Sequence, residues 1–279
     1  RVDHGSIARM NAPLEPWRLK RDPLDDFTPE DLTFGAEQRQ VFVSGKGPAV
    51  IVIAEIPGIT PEVARFARWV RDAGFTVFMP VLFGDPGRPA SVGYGVSVAA
   101  RVCVSRQFRA LTANVTSPAI VWLRALAASA HVRCGGKGVG AVGMCFTGNF
   151  ALSMMLEPAM LAPVLCQPSL PIGRKGGVHT APEELAQIRS RMDRENLLAL
   201  AYRFEGDVLC PGQRFKDYDQ VLGDRIRLKS LPASSANPNA PIKAPHSVVT
   251  QHLIDREGEP TRAAVDEILA FFRERLAPS

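Results

Sequence analysis

Val139-Gly-Ala-Val-Gly-Met-Cys-Phe-Thr-Gly-Asn-Phe150 passes from a short apolar run ending at Gly143, through Met144-Cys145-Phe146, into a helix-like segment. The pattern predicts a strand, a tight turn and a helix, with the Cys145 thiol at the apex. Gly143 and Gly148 stand on either side of that apex, where a strand and a helix must approach closely around a strained residue. One reading makes Cys145 a nucleophile. The other makes it a buried small hydrophobe, which is what most free cysteines are. The segment alone leaves both open.

Upstream, Gln38 to Ser44 suggests an edge strand, and Pro48-Ala-Val-Ile-Val-Ile-Ala54 is a β-branched run of the kind covered on both faces. It ends in Glu55-Ile-Pro-Gly58. Thr60 caps a helix with Pro61 at its first position and Val63, Phe66, Ala67 and Val70 on one face, and Phe75 to Pro80 is the next strand. Gly84 to Gly95 reads as loop, and Val104 to Ala130 as helix interrupted near Ser117-Pro118. Downstream, Pro163 to Gln167 and Leu197 to Phe204 are β runs separated by a charged helix around Pro182 to Arg194. The second run ends in Glu205-Gly-Asp207. Gln213 to Leu222 reads as helix and Arg225 to Leu231 as a last strand. A proline-rich loop then delivers His246, and Val265, Ile268, Leu269, Phe272 and Leu276 mark an amphipathic terminal helix.

Residues 1–37 are rich in charge and proline and read as an extended arm, with Trp17, Leu19 and Phe27 pinning it to a body at 38–279. No composition break divides that body. The net charge of +5 comes from arginines scattered among apolar and acidic residues, which argues against nucleic-acid binding. Five cysteines at irregular spacings, none in a C-x-x-C pair, argue against a disulfide framework or a zinc ribbon, and a reducing cytoplasm is expected. No apolar run approaches the roughly 18 residues of a membrane span, so no membrane partner is expected. The chain begins at Arg1, which leaves a trimmed leader open. No glycine-rich phosphate loop follows the first strand, and no cofactor or metal is expected.

Strands alternating with helices imply an α/β fold, a mainly parallel sheet with helices on both faces, whose ligands sit at the carboxyl ends of strands. Glu55, Cys145, Asp207 and His246 all fall just after expected strands. Thiol chemistry needs a base oriented by an acid, and the order Cys145, Asp207, His246 supplies nucleophile, acid and base. Each has a plainer alternative. Asp207 follows a glycine and reads equally as a turn aspartate capping local amides; His246 reads as a solvent-exposed loop histidine, with His252 on an expected following helix as rival base. The rigid loop favours His246. His4, His131 and His179 have no such placement, and His131 with Cys134 lacks a second pair to complete a metal site.

The run G-M-C-F-T-G around Cys145 is close to the G-x-S-x-G elbow of α/β-hydrolases, with cysteine for serine and the second glycine one place later. With Glu55-Ile-Pro-Gly58, the later aspartate and His246-Ser247, it resembles the dienelactone hydrolase family over roughly residues 38 to 276. The resemblance implies an α/β-hydrolase fold and a Cys145, Asp207, His246 triad. It also implies a Glu55 that contacts the resting thiol and helps form the thiolate; the alternative for Glu55 is a carboxylate accepting loop amides. The implied reaction is hydrolysis of a small ester or lactone through a thioester, the oxyanion held by the backbone amides of Phe146 and Ile56. Family members acting on dienelactone hold its carboxylate with arginines, one of them four residues after the triad histidine, where this chain has Thr250. Arg106 or Arg109 is the candidate replacement. A thiol peptidase or acyltransferase on the same elbow, and a ligand-binding protein without turnover, are the competing readings. Oligomeric state has no signature in the sequence.

Overall fold

In the computed structural model, residues 16–105 and 117–277 are described. In chain order the elements are β1 (Thr28–Phe34), β2 (Glu37–Gly45), β3 (Ala49–Ile53), α1 (Pro61–Asp72), β4 (Thr76–Pro80), α2 (Val92–Val104), α3 (Pro118–Cys134) and β5 (Val139–Met144). There follow α4 (Phe150–Ser153), β6 (Met160–Cys166), α5 (Pro182–Arg194), β7 (Ala199–Phe204), α6 (Gly212–Leu222), β8 (Ile226–Leu231) and α7 (Pro260–Leu276). The strands form one sheet in the order β1-β2-β4-β3-β5-β6-β7-β8. The β1–β2 and β2–β4 pairings are antiparallel and all the others parallel.

The β-branched run of β3 shows why the sheet sits where it does. Its side chains alternate between two apolar layers: Ile51 and Ile53 belong to the one that includes Leu123 and Leu126 of α3, Met192 of α5 and Tyr218 of α6, while Val50 and Val52 belong to the one that includes Phe66 of α1 and Ile268 and Phe272 of α7. Every residue of β3 is fully buried. The helices start where the chain offers a cap. Thr60 Oγ1 accepts from Val63 N and Ser117 Oγ from Ile120 N, each with proline at the first helical position.

Several elements differ from the sequence reading. Gln38 to Ser44 lies inside the sheet, not at its edge, because Thr28–Phe34 of the lead-in pairs with it. The alternating exposure of β1 hides its strand character among charged residues. Helix α2 begins at Val92 within the stretch read as loop, since Ser91 caps it and its glycines mask the periodicity. The turns after His246 do not continue into a helix, which starts only at Pro260. Trp17 and Phe27 pack against the body, Trp17 under the Arg65 guanidinium at 4.8 Å, but Leu19 is exposed. Arg18 does that work instead, donating to Gln251 O at 3.2 Å. Among the described residues no helix is long and apolar enough to cross a membrane.

Candidate active site

Strand β5 ends at Met144, and Cys145 takes φ +53°, a left-handed conformation that costs a non-glycine residue energy and lifts its side chain out of the strand-to-helix turn. The turn is over-determined by its neighbours. Cys145 O accepts from Gly148 N at 2.9 Å and from Ser169 N at 3.0 Å, and Thr147 Oγ1 accepts from Met144 N at 3.0 Å. Space explains the glycines: a Cβ on Gly143 would lie 2.1 Å from Thr147 O, and one on Gly148 would lie 2.6 Å from Pro168 Cα. Since backbone cannot yield as a side-chain tip can, Gly143→Ala is expected to cost at least about 2 kcal/mol. Chemical denaturation would check this, and a loss below half of that would contradict the close packing. The half-buried Cys145 Sγ lies 3.4 Å from Ser169 Oγ.

Beyond β7, Asp207 is buried and uses its two oxygens differently. Oδ1 accepts from Leu209 N at 2.9 Å and Cys210 N at 3.1 Å, while Oδ2 meets His246 Nδ1 at 2.7 Å. The turn role and the orienting role, alternatives in the sequence, coexist on one carboxylate. With Nδ1 committed to Asp207, the imidazole presents Nε2 to the cavity, buried and without a hydrogen-bond partner among the described residues. Burial alone would lower the His246 pKa, but a thiolate at Cys145 and the bond to Asp207 outweigh it and hold the pKa well above the usual value.

Glu55, directly beyond β3, is also buried. It accepts from Ser247 Oγ at 2.8 Å and Gln167 Nε2 at 3.3 Å, and from the Thr250 hydroxyl. Its partners are side chains, not the loop amides of the plainer reading. Burial raises its pKa, and the bond from Thr250, the charge of His246 and the bond from Ser247 oppose that rise. The fully buried Thr250, at the position where the resemblance leads one to expect arginine, is therefore a ligand of Glu55 rather than a surface for substrate.

Donor atoms of Glu55, Cys145 and His246 all lie within 4.8 Å of one another. A thiophilic cation could be gathered there, at the cost of prising Glu55 from its hydroxyl partners. Above the three lies a cavity of about 570 Å³, whose wall includes Ile56, Phe146, Ser169 and Ser247. The two residues expected to supply oxyanion amides thus border the space into which Cys145 opens. Arg106 and Arg109 lie outside the described residues.

Two contributors went unread in the sequence, and a third, His252, has another role than the one weighed there. Gln167 bridges Glu55 to the His246 loop, since its Oε1 accepts from Val248 N at 3.1 Å. Its position directly past β6, as Cys145 is directly past β5, was the available signal. Ser169 touches the thiol. His252, the rival base, is a scaffold: Nδ1 accepts from Ser247 N at 3.0 Å and Nε2 donates to Ile242 O at 2.9 Å.

Burial lowers the His252 pKa to about 4. The unfolded imidazole titrates near 6.5, so the unfolded chain takes up a proton that the folded chain refuses as pH falls between those values. The stability contributed by the neutral form is present above about 6.5 and lost towards pH 4, by up to about 3 kcal/mol. His252→Asn, which keeps an acceptor, is expected to show a shallower fall in melting temperature over that range; equal slopes would contradict the assignment. His179, also lowered to about 4 by burial, contributes equally to both proteins.

Residues 35–167 match the sequence profile of the dienelactone hydrolase family. No curated protein matches the chain. Among solved structures, a candidate dienelactone hydrolase from Klebsiella pneumoniae subsp. pneumoniae MGH 78578 superposes with TM-score 0.62 at 17% identity, covering 89% of this chain and 98% of that one. A dienelactone hydrolase-like promiscuous phosphotriesterase from metagenomic libraries gives 0.58 at 18% identity, with coverage of 89% and 98%. The dienelactone hydrolase from Anabaena variabilis ATCC 29413 gives 0.54 at 14% identity, with coverage of 90% and 98%. These likenesses identify the fold as that of the α/β-hydrolases.

Proposed function

With residues 35–167 carrying the sequence pattern of the dienelactone hydrolase family on an α/β-hydrolase fold, we propose that the chain is a cysteine-dependent hydrolase of small carboxylic esters or lactones. The observation that carries this reading is the convergence at one cavity of Cys145 in a left-handed turn, His246 bonded to Asp207 at 2.7 Å, and buried Glu55. Separate segments of the chain deliver them to one end of the sheet, where ligands of parallel sheets bind.

In the reaction, the Cys145 thiol gives up its proton to His246 Nε2, directly or by way of Glu55, whose burial raises its pKa and makes it a better acceptor than an exposed carboxylate. The thiolate attacks the carbonyl carbon, and the carbonyl electron pair moves to oxygen, stabilised by the N–H groups of Phe146 and Ile56. Collapse breaks the bond to the alcohol oxygen, which leaves with the proton from Nε2; in a lactone it stays tethered to the acyl group. Water then attacks the thioester, Nε2 taking its proton, and expulsion of sulfur releases the acid and restores the thiol.

Selective alkylation tests the reading. Burial pushes up the thiol pKa values of Cys166 and Cys210, so iodoacetamide at neutral pH should spare them. Turnover of a 4-nitrophenyl ester should fall in step with alkylation of Cys145, located by peptide mapping against half-buried Cys134 as the internal control, and a competing ester should slow both. Full activity after complete alkylation of Cys145 would overturn the proposal.

A further inference from the structure

The chemistry above leaves the acyl group unspecified, and the mouth of the cavity bears on it. Val92, Val96, Ile172, Leu209 and Ile242 are each between 47% and 64% exposed, and all five line this one cavity. Singly, exposed aliphatic residues are ordinary; a ring of them around the opening to a reactive thiol marks a binding surface. They come from separate parts of the fold: Val92 and Val96 lie one turn apart on α2, with Ala99 continuing the stripe, while Ile172, Leu209 and Ile242 come from loops after β6, β7 and β8. Besides His246 at the thiol, the described basic side chain in the lining is Lys243, whose Nζ donates one hydrogen bond to Pro238 O at 2.9 Å. Thr250 is spent on Glu55 and does not reach the lining.

Resting on the hydrolase reading, we propose that the substrate carries an uncharged aliphatic acyl chain, laid over this rim with its carbonyl at Cys145. The rim selects against acyl groups that end in a carboxylate. Such a group would lose water against five aliphatic side chains, with Lys243 the one described ammonium in the lining to set against that loss, whereas each methylene placed there gains transfer free energy equivalent to about threefold in kcat/KM. The occupant is thus defined by continuity between the rim and the thiol.

The test compares 4-nitrophenyl acetate, butyrate and hexanoate with the mono-4-nitrophenyl ester of adipic acid, which matches hexanoate in length but ends in a carboxylate. kcat/KM should rise at least fivefold from butyrate to hexanoate and fall at least tenfold from hexanoate to the adipate ester. Val96→Lys, at an exposed helical position, should reduce the hexanoate-to-adipate ratio at least fivefold. A flat or falling chain-length profile, or a preference for the anion, overturns the proposal. So does an unchanged ratio in Val96→Lys, including one accompanied by loss of self-association in sedimentation, which would give the rim to a second copy of the chain. Melting shifts of Cys145→Ala protein with the same esters separate the two readings. Stabilisation by hexanoate over adipate, with no turnover by the wild type, would contradict the hydrolase and uphold the aliphatic site; no preferential stabilisation would overturn the site itself.

Discussion

Cys145→Ala is expected to lower ester turnover by about ten-thousandfold or more, the scale seen when the nucleophile of a triad is removed, while the melting temperature stays within a few degrees. The two halves of this expectation have separate causes. Loss of activity follows because alanine carries no atom that can attack the carbonyl carbon. Retention of the fold follows because the contacts that pin the elbow are made by the Cys145 carbonyl and by Thr147, and alanine keeps the backbone they need. The left-handed φ of +53° strains alanine no more than cysteine. In the same variant His246 loses one of the charges that raise its pKa, so its imidazole titration should move down. Steady-state kinetics, a thermal melt and an NMR titration check the three parts. Activity within tenfold of wild type would remove Cys145 from the mechanism.

Asp207→Asn is expected to cost about a hundredfold to ten-thousandfold in kcat, through proton placement rather than lost packing. Oδ1 of Asp207 accepts from two backbone N–H groups, so an asparagine must put its carbonyl oxygen there. Its amide nitrogen then occupies the Oδ2 position, 2.7 Å from His246 Nδ1, and donates where the carboxylate accepted. Nδ1 is forced into the acceptor role and the proton moves to Nε2, the atom required as base. The two local backbone bonds survive, so the variant should fold. Kinetics together with imidazole nitrogen shifts check it; a wild-type rate with the proton still on Nδ1 would contradict the argument.

The residues themselves explain which parts of this account were legible in the sequence. Strand β3 was plain because five apolar residues in succession fit only a strand covered on both faces, and α1 was plain because Thr60 and Pro61 announce its start. Strand β1 was hidden because one of its faces is exposed, the other only half-buried, and its sequence carries glutamate, aspartate and proline. At the candidate site, Glu55, Cys145 and Asp207 were picked out by position after strands, a topological rule that needs no side-chain contact, and His246 by its proline-rich loop beyond β8 and by the order nucleophile, acid, histidine. Gln167 obeyed the same rule but carries no reactive group, and so drew no notice. His252 was misjudged as a rival base because sequence cannot tell which imidazole faces a cavity; three hydrogen bonds on its two nitrogens, two of them from the backbone at His246 and Ser247, fix it as scaffold. Thr250 looked like a missing anchor and turned out to hold Glu55, a long-range pairing that no local pattern encodes.

The central claim is a covalent acyl group on sulfur, and mass spectrometry of acid-quenched protein reads it directly. During turnover of a 4-nitrophenyl ester, the peptide bearing Cys145 should gain the mass of the acyl group, lose it to hydroxylamine as a thioester does, and show no gain in Cys145→Ala. Sustained ester hydrolysis with the acyl group on another residue, or persisting in Cys145→Ala, would contradict the account.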